Sequence, residues 1–356
     1  MTDVAVIGFA QSPCVRYGDG TTSGVEMLVP IFAEVLASTG LTQPDIGFWC
    51  SGSSDYLAGR AFSFVSAVDA IGAVPPIMES HVEMDGAWAL YEAWVKILTG
   101  AADTALVYGF GKSSAGLLRR VLALQLDPYL VAPLWPDSVS IAALQARLGI
   151  EGGRWSEKDM AEVAARSRAA AQGNPQAQLF GAVSAEDLLD QPYVADPLRA
   201  HDCAPVGDGA AVVILASAER ARELCPRPAW ITGFAHRIDS MELGGRDLTA
   251  APSATAAGRA AGAGPDGAGP PIDVAELHAP FTHQELILRT ALGLREETQV
   301  NPSGGALCGN PMFAAGLARI GLAARAITAG QADRALGHAT SGPALQQNLV
   351  CLMEAR

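Results

Sequence analysis

The chain has little charge and few aromatic residues, and it lacks several patterns that define other classes of protein. Charged residues make up 17% of its 356 residues, aromatic residues 6% and hydrophobic residues 49%. Intrinsic disorder is excluded, because disordered chains combine low hydrophobicity with high charge. The six cysteines include no Cys-x-x-Cys pair, so neither a zinc site nor a disulfide framework is expected. The thiols are expected to be free in a reducing cytoplasm.

The sequence also lacks the features of nucleic-acid-binding, membrane-spanning and secreted proteins. The net charge is −13 and no basic cluster occurs, so we expect no nucleic-acid partner. No apolar run approaches the ~18 residues of a membrane helix, and no membrane span is expected. The first residues lack the charged and apolar segments of a signal peptide, so a cytoplasmic location is expected. The length allows about two domains.

Short apolar strands alternate with helices along most of the chain. Strands are predicted at about 4–10 and 105–109, and helices at about 24–39 and 86–98. This alternation indicates an α/β fold, and the continuous apolar strands indicate a sheet covered on both faces. Residues from about 112 to 205 interrupt the pattern and are predicted to form an excursion over one end of the sheet.

Similar segments indicate an internal duplication. Residues 100–106 read GAADTAL and residues 330–336 read GQADRAL, and the same interval relates two predicted helix starts. We therefore predict an N-terminal half over 1–225, which includes the excursion, and a C-terminal half over 226–356. The Ala-, Gly- and Pro-rich stretch 251–271 is predicted to be a flexible surface loop.

Four motifs, in this order, resemble the thiolase superfamily: EMDGAW at 83–88, VGDGAA at 206–211, ELHAPF at 276–281 and NPSGG at 301–305. The chain is most similar to the sterol-carrier-type thiolases, or lipid-transfer proteins, in the branch that includes steroid side-chain-cleaving aldolases. The resemblance implies a thiolase-like fold of two duplicated α/β halves in a five-layer α-β-α-β-α arrangement. It also implies a homodimer through this core and a partner protein with an OB-fold and a zinc ribbon.

The chain departs from the family at the residues that perform acyl transfer. Thiolases carry a nucleophilic Cys before the first core helix, where the helix dipole lowers the thiol pKa, and this position holds Glu83. The family's Gly-His-Pro loop reads Gly309-Asn310-Pro311, and its final Cys-x-Gly loop reads Thr340-Ser341-Gly342. Of the catalytic set only His278 remains. Acyl transfer through a thioester on this chain is therefore not expected.

The remaining polar groups fit a retro-aldol cleavage, which needs no covalent nucleophile. A base must remove the β-hydroxyl proton, and hydrogen-bond donors must stabilise the departing enolate. The candidates for proton transfer are His278, Asp85, Glu83 and His338. The candidates for binding an oxyanion or orienting the substrate are Asn310, Cys308, Ser341 and Thr340.

Several candidates also have plain structural interpretations. Asp85 could cap the helix that follows it, and Glu83 could pair with His81. Both carboxylates are expected at a buried strand end, where charge is costly. Cys308, which the resemblance places facing the cavity, could be a small apolar filler. His283 is expected to face outward.

The sequence therefore predicts a retro-aldolase that cleaves a β-hydroxyacyl-CoA, of a sterol or steroid side chain, into a ketone or aldehyde and a short acyl-CoA. No metal or cofactor is expected on this chain, because coenzyme A comes with the substrate and zinc belongs only to the partner. Aldolases of this branch use tyrosines of the second half, but no Tyr follows Tyr193, so His278 and His338 would replace them. A non-catalytic scaffold subunit, a divergent thiolase or acyltransferase using Cys308, and a lipid-binding protein without turnover remain alternatives.

Overall fold

The computed structural model describes residues 3–16, 22–55, 62–72, 77–264 and 270–356. Its strands are β1 (Val4–Gln11), β2 (Phe48–Gly52), β3 (Glu79–Val82), β4 (Thr104–Lys112), β5 (Tyr193–Ala195), β6 (Leu198–Arg199), β7 (Asp208–Ser217), β8 (Ala229–Ile238), β9 (Val274–Glu276), β10 (Gln299–Val300), β11 (Arg334–Ser341) and β12 (Gln347–Glu354). Its helices are α1 (Gly24–Thr39), α2 (Ser63–Ile71), α3 (Gly86–Leu98), α4 (Leu118–Leu124), α5 (Ser138–Glu151), α6 (Glu157–Ala170), α7 (Ala185–Leu189), α8 (Ala218–Leu224), α9 (Pro252–Ala261), α10 (Thr282–Ala291) and α11 (Ala315–Thr328). Short 3-10 turns lie at Gln43–Asp45, Ala132–Leu134, Ala171–Gly173, Ala200–Asp202, Leu243–Gly245 and Ala306–Cys308.

Both halves of the chain repeat one strand arrangement. The order is β3-β2-β4-β7-β1 in the first half and β10-β9-β11-β12-β8 in the second. When the five strands of each half are numbered along the chain, the second pairs parallel with the third and the fourth. The fifth pairs antiparallel with the fourth and the first. β1 meets β8 along two residue pairs, which makes the described sheet continuous. The predicted boundaries at 1–225 and 226–356 stay a prediction.

Three apolar clusters fill the spaces between helices and strands. The central cluster contains α3 and α11, with one face of each half-sheet packed against them. A second cluster packs α1 and α2 on the outer face of the first half, and a third packs α9 and α10 on the outer face of the second. Successive residues of β1 alternate between the central and the outer cluster, as the period of a strand requires. The predicted α/β fold with five α-β-α-β-α layers is confirmed.

The predicted flexible loop at 251–271 is wrong over residues 252–261, which form α9. Alanine is the strongest helix former, Pro252 occupies the first turn, and Gly262 ends the helix at a φ of 88°. Small side chains let this helix lie close to β8, because a Cβ on Gly233 would be 1.8 Å from the carbonyl oxygen of Ala261. Composition alone does not separate such a helix from a loop. Residues 265–269 of the predicted loop lie outside the described residues.

The chain between β4 and β7 forms helices α4–α7 and the small β5–β6 sheet. These elements are the predicted excursion, and its first two helices supply part of a cavity wall. Over the ranges that the structure describes, no helix is long and apolar enough to cross a membrane. The same ranges contain no cluster of three or more His, Cys, Asp or Glu side chains that could hold a metal ion.

Candidate active site

A cavity of about 620 Å³ lies where the excursion meets the loops that precede the two central helices, α3 and α11. Its wall is mainly apolar and includes Leu122, Val139 and Phe281. Polar side chains from both halves also line it. Six of the eight predicted site residues are among them: Glu83, Asp85, His278, Asn310, Thr340 and Ser341.

Asp85 joins the first turns of the two central helices. Its Oδ1 accepts hydrogen bonds from the backbone N–H groups of Ala87 and Leu317, each at 2.9 Å. Its Oδ2 accepts from the N–H of Gly316, also at 2.9 Å. A side chain on Gly316 would collide with this carboxylate, since a Cβ there would lie 2.6 Å from Oδ1. The structural interpretation as a helix cap is therefore correct, and it extends to a second helix.

Two effects act on the ionisation of the Asp85 carboxyl. Burial raises its pKa, because the charged form loses its hydration. The amides of Ala87, Gly316 and Leu317 favour the charged form and oppose this shift. All three contacts are N–H donors, which an ionised carboxylate accepts. Both carboxylate oxygens of Asp85 therefore bind backbone N–H groups.

Glu83 presents its carboxylate to the cavity. The side chain is 52% exposed, so the expectation of a buried strand end is wrong for this residue, which follows the short edge strand β3. Oε1 accepts from the N–H of Asp55 at 3.0 Å, and Oε2 lies 3.4 Å from Nε2 of His81. The Nδ1 of His81 lies 2.9 Å from the Ser51 hydroxyl, which anchors the ring. Glu83 thus has the predicted partner and an accessible carboxylate.

His278 and Asn310 form a hydrogen-bonded pair in the cavity wall. The backbone N–H of Thr340 lies 3.4 Å from Nδ1 of His278, and an N–H can only donate, so Nδ1 is the acceptor. Nε2 therefore carries the proton and donates to Oδ1 of Asn310 at 3.0 Å. Burial lowers the pKa of His278 to about 4, which keeps the ring neutral at neutral pH. This bond fixes the Asn310 amide and leaves its Nδ2 group free to donate.

His338 does not line the cavity. The side chain is fully buried, and its Nε2 lies 2.9 Å from Oδ1 of Asn348. Burial lowers the pKa of His338 to about 3. His338 lies on the same face of β11 as Thr340 but two residues farther from the end of the strand, and of the two only Thr340 reaches the cavity. The predicted role of His338 in proton transfer stays a prediction.

The thiols are poorly placed for nucleophilic chemistry. Cys308 is buried in a helical turn beside a void of about 20 Å³, so the expectation that it faces the cavity is wrong. Burial raises its pKa to about 11. Among the described cysteines only Cys203 lines the cavity; its Sγ lies 3.6 Å from the carbonyl oxygen of Arg199, and burial raises its pKa to about 12.

The expectation that His283 faces outward is also wrong. The side chain is fully buried, and its Nε2 lies 3.0 Å from Oε1 of Gln145. The ring of Trp155 stacks over it, with centroids 6.1 Å apart. Both covering residues belong to the excursion, whose position over α10 no local periodicity reveals.

Ser113 and Gln284 are among the polar cavity residues that the sequence analysis missed. Ser113 is buried, and its hydroxyl has no hydrogen-bond partner within the described part of the chain. The next residue, Ser114, is held by the carboxylate of Asp208 through an N–H···Oδ1 bond of 2.8 Å. Gln284 lies beside His283 on α10. The pair Ser113-Ser114 directly after a buried strand was a usable signal, because strand ends are common positions for functional residues. Gln284 had no such signal.

Comparison with known proteins found several relatives, although a scan against protein-family models found no match. The acetyl-CoA acetyltransferase of Methanothermobacter thermautotrophicus is 26% identical over 343 residues, covering 90% of this chain and 89% of the relative. The 17-hydroxy-3-oxo-4-pregnene-20-carboxyl-CoA lyase of Mycobacterium tuberculosis is 27% identical over 215 residues, 57% of this chain and 55% of that protein. Sterol carrier protein 2 of Gallus gallus is 24% identical over 388 residues, covering 94% of this chain and 69% of that protein.

Solved structures share the fold over nearly the whole chain. Human mitochondrial 3-ketoacyl-CoA thiolase superposes with a TM-score of 0.80 at 16% identity, covering 99% of both chains. The Ltp2-ChsH2(DUF35) aldolase superposes with a TM-score of 0.79 at 20% identity, covering 99% of this chain and 98% of that one. Fold and sequence together place this chain in the thiolase-like superfamily, with sterol carrier protein 2 and a steroid carboxyl-CoA lyase among its relatives.

Proposed function

We propose that this chain is a retro-aldolase that cleaves a β-hydroxyacyl-CoA into a ketone or aldehyde and a shorter acyl-CoA. One observation carries the proposal: the position of the thiolase nucleophile holds Glu83, whose carboxylate is open to the cavity. A carboxylate accepts a proton but cannot form the thioester intermediate of acyl transfer. Burial keeps the cavity thiol, Cys203, protonated, so it does not replace the missing nucleophile.

Glu83 is assigned the role of base. It takes the proton of the β-hydroxyl group, the Cα–Cβ bond breaks, and the electron pair passes into the enolate of the shorter acyl-CoA. The proton on Glu83 then goes to the α-carbon, so the reaction balances without a co-reactant. Asn310 donates from Nδ2 to the enolate oxygen, and His278 acts as a positioning residue through its bond to Asn310.

Asp85 has a different role in this proposal. Its two oxygens already accept three backbone N–H groups, and proton transfer would weaken those bonds in every cycle. We assign it to holding the N-terminal ends of α3 and α11 in place. Thr340 and Ser341 lie in the same wall and orient the substrate. No step is assigned to His338 or Cys308.

The substrate is proposed to carry a bulky apolar acyl group, of the sterol or steroid side-chain class. A cavity of about 620 Å³ falls in the usual range for small-molecule sites, and its wall is largely apolar. The name of the M. tuberculosis relative, a pregnene carboxyl-CoA lyase, agrees with this class. The sequence similarity to the acetyl-CoA acetyltransferase of M. thermautotrophicus supports the acyl-CoA part of the proposal.

We further propose that the chain is homodimeric and works with a DUF35-type partner that carries an OB-fold and a zinc ribbon. The similarity to the Ltp2-ChsH2(DUF35) aldolase supports the DUF35-type partner. The homodimer is proposed on the resemblance to thiolases alone. The excursion also exposes large apolar side chains, for example Leu117, Tyr129 and Leu134, of the kind that another protein commonly covers.

The test is product analysis by mass spectrometry on β-hydroxy, β-branched acyl-CoA substrates, with the chain alone and with a co-expressed DUF35-type neighbour. We expect a short acyl-CoA and a carbonyl fragment from the wild-type complex. Glu83→Gln should slow the cleavage about 100-fold or more, in line with loss of a general base. Glu151→Gln, at an exposed site outside the cavity, is the matched control.

Three outcomes would contradict the proposal. Unchanged cleavage by Glu83→Gln would remove Glu83 as the base. Transfer of an acyl group to free coenzyme A by the wild type would favour the acyltransferase reading instead. Absence of cleavage in a complex that demonstrably forms, across steroid-like and simple acyl chains, would favour a scaffold subunit.

A further inference from the structure

A hydrogen-bond chain that starts at two backbone carbonyls fixes the orientation of Gln145 on α5. Its Nε2 lies 2.8 Å from the carbonyl oxygen of Leu248 and 3.5 Å from that of Ala344. A carbonyl oxygen only accepts hydrogen bonds, so this end of the amide is the NH2 group. The other end, Oε1, is therefore an acceptor, and α10 lies on that side.

The orientation of Gln145 fixes that of Gln284. The same Oε1 lies 3.0 Å from Nε2 of His283 and 3.0 Å from Nε2 of Gln284. Because the oxygen accepts, both nitrogens must donate to it. The carbonyl oxygen of Gln284 is consequently the end of the amide that the network does not use. No ambiguity between O and N remains at this side chain.

That carbonyl oxygen has no partner among the described residues. Gln284 is 4% exposed, its Oε1 is closed to solvent, and the residue belongs to the cavity wall. A buried carbonyl left without a donor is costly, and such groups are rare in folded proteins. Methionine would have the same length without this cost. A second cavity residue, Ser113, carries an equally unpartnered hydroxyl.

We propose that Gln284 is a specificity-determining residue that accepts a hydrogen bond from an N–H or O–H group of the acyl-CoA bound in the cavity. The proposal rests on the proposed function only in requiring that an acyl-CoA enters this cavity. Two parts of such a ligand carry the donor: a hydroxyl group of the acyl chain other than the β-hydroxyl that Glu83 deprotonates, or an amide N–H of the pantetheine arm. Pairing with either one removes the cost of the unpaired oxygen.

The test uses two ligands that cannot be cleaved. An S-alkyl-CoA thioether with a hydroxyl group at the far end of its alkyl chain and an unsubstituted S-alkyl-CoA thioether of equal length lack the thioester carbonyl, so no enolate forms from them. Their dissociation constants are measured by calorimetry on the full chain, in wild type and in Gln284→Met. If the acyl hydroxyl is the donor, wild type prefers the hydroxylated ligand about 10-fold and Gln284→Met loses that preference. If pantetheine is the donor, Gln284→Met weakens both ligands about 10-fold.

Two further variants separate the proposed contact from effects on folding. Gln284→Asn keeps an amide but withdraws it by one methylene, and it should weaken binding in the same pattern. Gln331→Met makes the same chemical change at an exposed position outside the cavity and should bind like wild type. Thermal unfolding of each variant shows which are folded.

This proposal alone would be overturned if folded Gln284→Met bound both ligands with the affinity of wild type. If Gln284→Met does not fold, the same result for Gln284→Asn would overturn it. The proposed lyase function would then be unaffected. Failure of wild type to bind either thioether would instead count against an acyl-CoA substrate, and so against both proposals. Binding and turnover are measured separately, which keeps the two failures distinct.

Discussion

Replacing Asp85 with Asn tests whether its carboxylate holds the two central helices together. Asn keeps an oxygen for Ala87 and Leu317, but it turns an NH2 group toward the N–H of Gly316 and removes the negative charge. Hydrogen bonds to charged groups contribute about 1.5–3 kcal/mol each. A charge at a partly buried helix terminus contributes up to about 2 kcal/mol. One lost bond, one repulsive contact and two weakened bonds give an expected loss of about 3–5 kcal/mol in the free energy of unfolding.

Urea unfolding at pH 7, followed by circular dichroism, measures this loss. Asp137→Asn is the matched control, because Asp137 caps only α5 through a bond of 2.7 Å to the N–H of Ser140 at an exposed site. The control should lose less than about 0.5 kcal/mol, because Asn caps a helix about as well as Asp and the ion pair of Asp137 with Arg119 is largely exposed. The reasoning is refuted if Asp85→Asn unfolds within about 1 kcal/mol of wild type while cleavage is abolished, since Asp85 would then be a protonated acid rather than a clamp.

Two other predictions concern pH and substrate size. Burial lowers the pKa values of His278, His283 and His338 to about 4, 3 and 3, below the ~6.5 of an unfolded histidine. The unfolded chain therefore binds more protons than the folded chain below about pH 6.5. The contribution of these histidines to the free energy of unfolding is complete above that pH and falls as the pH falls toward 4, by about 1 kcal/mol per histidine per pH unit. Urea unfolding at pH 7 and pH 5 checks this, and equal free energies of unfolding would contradict it. Leu122→Trp narrows the cavity, so KM should rise more for branched than for short β-hydroxyacyl-CoA substrates, and parallel changes would contradict the assigned wall.

The architecture was largely predictable because its signals are local. The predicted helix at 24–39 is observed as Gly24–Thr39, where Ser23 caps one end and Gly40 adopts a φ of 70° at the other. The repeated segments at 100–106 and 330–336 include the first residues of β4 and β11, which occupy the same place in the two half-sheets. Periodicity and capping residues are encoded within a few turns of chain.

The site was predictable only where the motif itself contains the residue. Glu83, Asp85, His278 and Asn310 all come from motif positions, and all line the cavity. The environment of His283 depends on Gln145, which is 138 residues away along the chain. Such contacts are set by how the excursion packs onto α10, and no local pattern of one sequence encodes that packing.

Glu83 and Asp85 together explain why a single substitution should not restore thiolase chemistry. In a thiolase, the N-terminal end of the core helix lowers the pKa of the nucleophilic Cys. Here the N–H groups of Ala87, Gly316 and Leu317 are already bound to the Asp85 carboxylate. A thiol introduced as Glu83→Cys would meet a nearby negative charge and an occupied helix terminus, both of which raise its pKa. We therefore expect no acyl transfer from Glu83→Cys and slow alkylation of its new thiol by iodoacetamide at pH 7; rapid alkylation, with Glu151→Cys as the exposed reference, would show that Asp85 does not neutralise this end of the helix.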